Sequence, residues 1–386
     1  MWALSTCGEP NDIKKNTHPK HVTALFCPTC PAARQAECSK LGLPFDGKIN
    51  NWDSSYYRNM VEKEHYQVDH EEIKTYFPLE RVTTGLLDIY QELLSLVFVP
   101  VSTGTWHEEV VCYRVEDKAT KATMGHFYLD LHPREGKYGH AACWGLQPGC
   151  KISETKRMLP VAACVCNFTK GTKEAPSLMM HSEVETFFHE FGHCMHQLCS
   201  EADFSRFAGT AVERDFVEAP SQMLENWCWQ PNVLNKLSRH HQTGEPLPSA
   251  LLDKLIAAKN VNSGFSIMRQ VYLGKLDLAI HSETPPATSA ELQALVDELC
   301  PKISLVRNPP NCNMLRSFGH LMNQYVHVHV ARAALPLSGQ WPSNRVRLVR
   351  RTCAPRGPSA RVVNLTKARK RPPTGLYFAG LCLVAP

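Results

Sequence analysis

His189-Glu190-Phe191-Gly192-His193 places two imidazoles four residues apart, with a carboxylate directly after the first. On an α-helix, residues i and i+4 lie on one face, about one turn apart. Two ring nitrogens so placed can meet one Zn²⁺ at about 2.0–2.1 Å, and Glu190, one residue round from His189, leans towards an open coordination position. From there it can accept a proton from an attacking water, which is the task of a general base. The flanks support a buried helix, with Val184, Phe187, Phe188, Met195 and Leu198 supplying its apolar side. Histidines and a glutamate on such a helix need partners, because burying polar groups without them is costly. The competing reading is two core histidines beside a surface glutamate.

A catalytic zinc takes a third protein ligand and keeps one position open. His196 is a poor choice, since positions i, i+4 and i+7 spread over about 10.5 Å of one straight helix. The next helical segment offers Glu213, Asp215 and Glu218. Glu218, between Val217 and Ala219, suits an inward-facing ligand best, whereas Glu213 and Asp215 flank Arg214 and read as a solvated or paired cluster. Glu225, seven residues beyond Glu218, suits two roles equally: orienting a histidine from behind, or an exposed helix acid.

The elements that must position these residues point to a mainly α fold with a small β-sheet. Helical periodicity predicts helices over 53–64, 71–77 and a longer one from Leu79, in which Val82, Leu86, Ile89, Tyr90 and Leu93 recur on one face. Strands are expected over 109–114, 125–131, 141–145 and 161–168, where β-branched and aromatic residues alternate with turn signals. Helices follow over 181–199, 213–229, 249–260, 264–281 and 289–306. Residues 1–40 read as a loosely ordered leader, 41–330 as the catalytic domain, and 331–386 as a tail expected to be disordered. That tail holds eleven Lys/Arg, no acid and seven prolines, which leaves the first 330 residues net acidic although the whole chain is +5.

Composition narrows the classes. With 43% apolar and 20% charged residues, the chain matches an ordinary globular protein and neither a collagen-like nor a mainly disordered one. The 16 cysteines are spread from Cys7 to Cys382 without a compact framework, and the first residues lack a basic-then-apolar leader, so a reducing, cytoplasmic setting is expected. Cys27-Pro28-Thr29-Cys30 has no second ligand pair at zinc spacing and reads as ordinary thiols. Cys143, Cys164, Cys166, Cys194 and Cys199 recur around the motif; buried small apolar side chains are favoured over a redox role. The longest apolar run, 93–101, includes Ser95 and Pro100 and is too short to span a bilayer. The basic tail has few aromatics to stack bases, so no specific nucleic-acid partner and no membrane are expected.

The segment His189-Glu190-Phe191-Gly192-His193-Cys194-Met195-His196-Gln197-Leu198-Cys199 resembles the thimet oligopeptidase and neurolysin family of zinc metallopeptidases. So do Val212-Glu213-Arg214-Asp215-Phe216-Val217-Glu218-Ala219-Pro220-Ser221 and Tyr128-Leu129-Asp130-Leu131-His132-Pro133-Arg134-Glu135-Gly136-Lys137-Tyr138-Gly139-His140. The resemblance covers roughly 39–325. It implies a zincin-like domain holding one Zn²⁺ through His189, His193 and Glu218, with Glu190 as general base. It implies a monomeric, cytosolic enzyme that cleaves short peptides, and it assigns His320 and Tyr325 to stabilising the tetrahedral state. The family pattern also departs here: Asn323 and Gln324 stand where it has glycines, and His329 and Arg332 where it has tyrosines. Its large helical N-terminal half has no counterpart in residues 1–40. The alternative expectation is therefore an impaired remnant that binds zinc or peptide without turnover.

Overall fold

The computed structural model describes residues 29–308 and residue 315. The chain opens with α1 (Thr29–Leu41), β1 (Ile49–Asn50) and α2 (Ser54–Val61), which runs on through a π-helical turn, Glu62–Tyr66. Residues 29–40 are thus helical, where the sequence reading expected a loosely ordered leader. Cys30 and Ala33 seat this helix against Tyr57, Val61, Val261 and Phe265, but so few apolar positions leave little periodic signal. Then come α3 (His70–Lys74), α4 (Leu79–Leu94), β2 (Leu96–Val101), β3 (Val111–Asp117), β4 (Thr123–Asp130), β5 (Ala142–Gln147), β6 (Cys150–Lys151), β7 (Arg157–Met158) and β8 (Val161–Val165). The helices α5 (His181–Leu198), α6 (Arg214–Glu225), α7 (Pro231–Leu237), α8 (Ser249–Ala258), α9 (Ser263–Ile280) and α10 (Ser289–Ile303) follow, and β9 (Val306–Arg307) pairs in parallel with β1. The described residues are mainly helical with small sheets.

The largest sheet has five strands in the order β2-β3-β4-β8-β5. β4 and β8 run parallel, while β5 pairs antiparallel with β8, so β5 is an edge among the described strands. β2 is the other edge. The sequence reading took its apolar residues only as a run too short for a membrane. Pro100 cannot donate to a ladder and is tolerated at this edge, where it lies opposite Tyr113. Ser95, with φ 53°, ends α4 and turns the chain directly into β2.

One core joins α4, the inner face of this sheet, α5 and α7. Phe127 and Leu129 of β4 point into it, as do Ala162 and Cys164 of β8. α5 lies across the sheet. Its Phe191 ring packs edge-on against Tyr90, Phe98 and Phe127, at 4.8, 5.9 and 5.1 Å between centroids. The Tyr90 hydroxyl donates to the Phe188 carbonyl at 2.7 Å, one residue before His189. With the aromatic side of α5 fixed to the sheet, the opposite side of the helix faces α6.

The loop between β4 and β5 is braced by charge. Asp130, 3% exposed, accepts hydrogen bonds from Trp106 and, in bidentate fashion, from Arg134, and pairs with Lys137 at 2.9 Å. The Lys137 ammonium also donates to the carbonyls of Asp130, His132 and Cys166. Asn167 donates to the carbonyls of Tyr138 and His140, tying the end of the loop to the sheet beside β5.

Candidate metal centre

Glu183 starts α5 by accepting the Met180 backbone N–H, and the helix runs unbroken through the motif. His189 and His193 therefore stand one turn apart, their ring centroids 4.8 Å from each other. α6 crosses α5 at Gly192. A Cβ there would lie 2.9 Å from Ser221 Cα, so only glycine allows this approach. One turn before Ser221, Glu218 faces the two histidines.

His189 Nε2, His193 Nε2 and Glu218 Oε2 form a triangle. The two nitrogens are 3.2 Å apart, and the carboxylate oxygen is 3.2 Å from the first and 3.1 Å from the second. Three ligands at about 2.0–2.1 Å around one tetrahedral ion present a triangle of this size. Two imidazoles and a carboxylate also match the donor chemistry that zinc accepts. Among the described residues this is the one His/Cys/Asp/Glu group with metal-holding geometry. Glu213 is the exposed residue that precedes the first turn of α6 and is not one of the three donors.

The surroundings hold the triangle in place. His189 Nδ1 contacts Glu225 Oε1 at 2.7 Å, so a carboxylate behind the ring fixes its orientation. Burial opposes charge on His189, but the hydrogen bonds to Glu218 and Glu225 outweigh it and lift the imidazole to about 10. For Glu218, burial works the other way and loses; hydrogen bonds to the two histidines hold its carboxyl far below the usual carboxylate range. The Ser221 hydroxyl lies 2.9 Å from Glu218 Oε2. His193 Nδ1 is buried without a hydrogen-bond partner among the described residues, so its ring is held by packing and by the Nε2 contact with Glu218.

Glu190, 9% exposed, sits on the sheet side of the histidines and takes a backbone hydrogen bond from Cys143 of β5. Burial raises its carboxyl, and the neighbouring histidines limit the rise. His196 is buried against Phe216, and desolvation pushes it down to about 4, as suits a neutral packing residue. His320 and Tyr325 lie outside the described residues. The sequence reading did not find Ser221, the Gly192 crossing or the Cys143 backbone contact. Only Ser221 left a signal, three residues after Glu218 on the same helix.

A cavity of about 880 Å³ opens beside Glu225. Glu185, Met223, Trp229, Lys259 and Arg58 contribute to its walls, giving it both apolar and charged surface.

The family model of Peptidase family M3 matches residues 31–331. The chain belongs to peptidase family M3. This M3 chain is 45% identical over 285 residues to the thimet-like oligopeptidase of Dictyostelium discoideum, a match that covers 73% of the chain and 42% of that relative. It is 42% identical over 301 residues to saccharolysin of Saccharomyces cerevisiae, covering 74% and 41%. Against oligopeptidase A of Escherichia coli it is 33% identical over 276 residues, covering 71% and 40%. The M3 chain thus spans about two fifths of the length of these relatives. Among its described residues, no helix is long and apolar enough to cross a membrane.

Proposed function

We propose that this chain carries the zincin-like catalytic portion of a zinc-dependent metalloendopeptidase that hydrolyses peptide bonds in short oligopeptides. One Zn²⁺ would be held by His189, His193 and Glu218. The observation that carries the reading is the triangle of those three donors, with the Glu190 carboxylate on the next residue of the same helix. A bound zinc supplies Lewis acidity and lowers the pKa of water near it.

The chain's own residues account for the rest. An extended peptide pairs its backbone with the open edge of β5, as in strand addition. Glu190 takes a proton from the attacking water and delivers it to the leaving amine. Burial helps by raising the Glu190 carboxyl towards the working pH. His189 donates its Nδ1–H to Glu225, which keeps the ring in the tautomer whose Nε2 lone pair is available to a metal. Assignment of His320 and Tyr325 to the tetrahedral state rests on the resemblance, and so does a monomeric, cytoplasmic enzyme.

The test is turnover of a quenched-fluorescent oligopeptide, with zinc content measured on the same samples. Glu190→Gln is expected to keep about one zinc and lose about 10²–10⁴ in turnover. Chelator should abolish wild-type cleavage. One bound zinc without cleavage would replace this reading with that of a metal-binding remnant. Cleavage indifferent to both chelator and Glu190→Gln would refute it.

A further inference from the structure

Ser221 reaches the donor triangle from inside α6, and it is fully buried. Its Oγ lies 2.9 Å from Glu218 Oε2 and 3.0 Å from the Glu218 carbonyl oxygen. Both acceptors belong to the residue that completes the triangle, and Oε2 is the atom that meets His189 and His193. A hydroxyl carries one proton, so it serves one of these acceptors at a time. The backbone that carries this hydroxyl is clamped. A Cβ on Gly192 of α5 would lie 2.9 Å from Ser221 Cα and 3.5 Å from Ser221 Cβ, so the two helices touch here. Pro220, the preceding residue, lies inside α6 and cannot donate to the helix ladder. The Ser221 hydroxyl, reaching back to the Glu218 carbonyl, adds a bond within that same turn.

We propose that Ser221 is a positioning residue of the metal centre: its hydroxyl donates to Glu218 Oε2 and keeps that oxygen on the triangle, so that the ion is retained.

The need for such a donor follows from what an ion removes. Without metal, the two imidazoles hold Oε2 themselves, at 3.2 and 3.1 Å. A metal takes the Nε2 lone pairs of both rings, and a nitrogen that gives its lone pair to an ion has no proton to donate. Among the described residues, Ser221 is the contact to Oε2 that stays available. Glu218 ends a flexible side chain, whereas the hydroxyl springs from a backbone fixed against Gly192. The rigid partner therefore orients the mobile one, as an outer hydrogen bond does for a metal ligand.

This role rests on the proposed zinc site, and the two are tested apart by measuring metal binding rather than cleavage. Zinc affinity is read by competition with a chelator of known affinity. Wild-type chain is expected to bind one zinc, and Ser221→Ala to bind it at least about tenfold more weakly. The urea midpoint of the metal-free chain should stay where it is, because the imidazoles still hold Oε2 there. A double-mutant cycle separates positioning from packing. In the Glu218→Ala background, adding Ser221→Ala should change zinc affinity by less than about twofold, since the hydroxyl then has no carboxylate to act through. Equal affinity in wild type and Ser221→Ala would overturn the assignment. So would a tenfold loss that persists in the Glu218→Ala background, or a metal-free midpoint that falls in step with the affinity, since either marks a packing residue. A wild-type chain that takes up no zinc would overturn the zinc site first, and the positioning role with it.

Discussion

Gly192→Ala asks one methyl group to test how the site is built. The new Cβ would stand 2.9 Å from Ser221 Cα, 3.3 Å from Leu224 Cδ1 and 3.5 Å from Ser221 Cβ. Carbon atoms rest at about 3.5–4.0 Å. The Leu224 side chain can rotate away, but the Ser221 backbone cannot, so α5 and α6 must part by about 0.6–1 Å. Glu218 moves with α6, and metal-ligand distances tolerate only about 0.2 Å. The expected loss is about 10–100-fold in zinc affinity, the range for disturbing the support of a ligand. Overpacking should destabilise the metal-free protein by about 1–3 kcal/mol. The sign is diagnostic, because alanine in an exposed helix would instead stabilise by about 1 kcal/mol relative to glycine. Zinc affinity comes from competition with a chelator of known affinity, and stability from urea unfolding of metal-free protein. If the variant matches wild type in both, the helix crossing does not set the position of Glu218, and the reasoning fails.

Two further outcomes follow from charge. In metal-free protein His189 stays protonated up to about 10, held there by Glu218 and Glu225 against burial. Metal binding must displace that proton, so apparent zinc affinity should rise about tenfold per pH unit below that value; constant affinity between about pH 7 and 9 would contradict it. Asp130 is buried, and although burial opposes its charge, hydrogen bonds from Arg134, Trp106 and Lys137 hold its carboxyl well below the ordinary range. A depressed folded pKa stabilises above the unfolded value of about 3.9 and ceases to do so as the pH falls through the folded one. Asp130→Asn, which strands the buried Lys137 charge, should cost about 3–5 kcal/mol in urea unfolding at neutral pH. The difference from wild type should shrink in acid; an equal difference at both pH values would refute the assignment.

What could be read in the sequence was what the chain encodes locally. His189 and His193 are tied by the pitch of one helix, and Phe191 and Leu198 declare its buried side. Val82, Leu86 and Tyr90 mark α4 for the same reason. Glu218 could be favoured over Glu213 and Asp215 by its apolar neighbours, but the choice depends on how α6 sits against α5, which no periodicity records. The same holds for Glu225, whose role is decided by its 2.7 Å contact with His189 across the two helices. α1 escaped because it buries too few apolar residues to show a face. Cys143 and Cys194 read as small apolar residues, and only the packing of α5 against β5 brings their sulfurs together.

The donor triangle is assembled from consecutive helices, with Glu218 only about 25 residues after His193. In an unfolded chain, closing a loop of that length costs about 3 kcal/mol of entropy by the logarithmic law. Structural zinc sites in small peptides release several times that on binding. An ion could therefore draw α5 and α6 together while the rest of the chain is still forming, and the site would then act as an early nucleus of folding as well as its product.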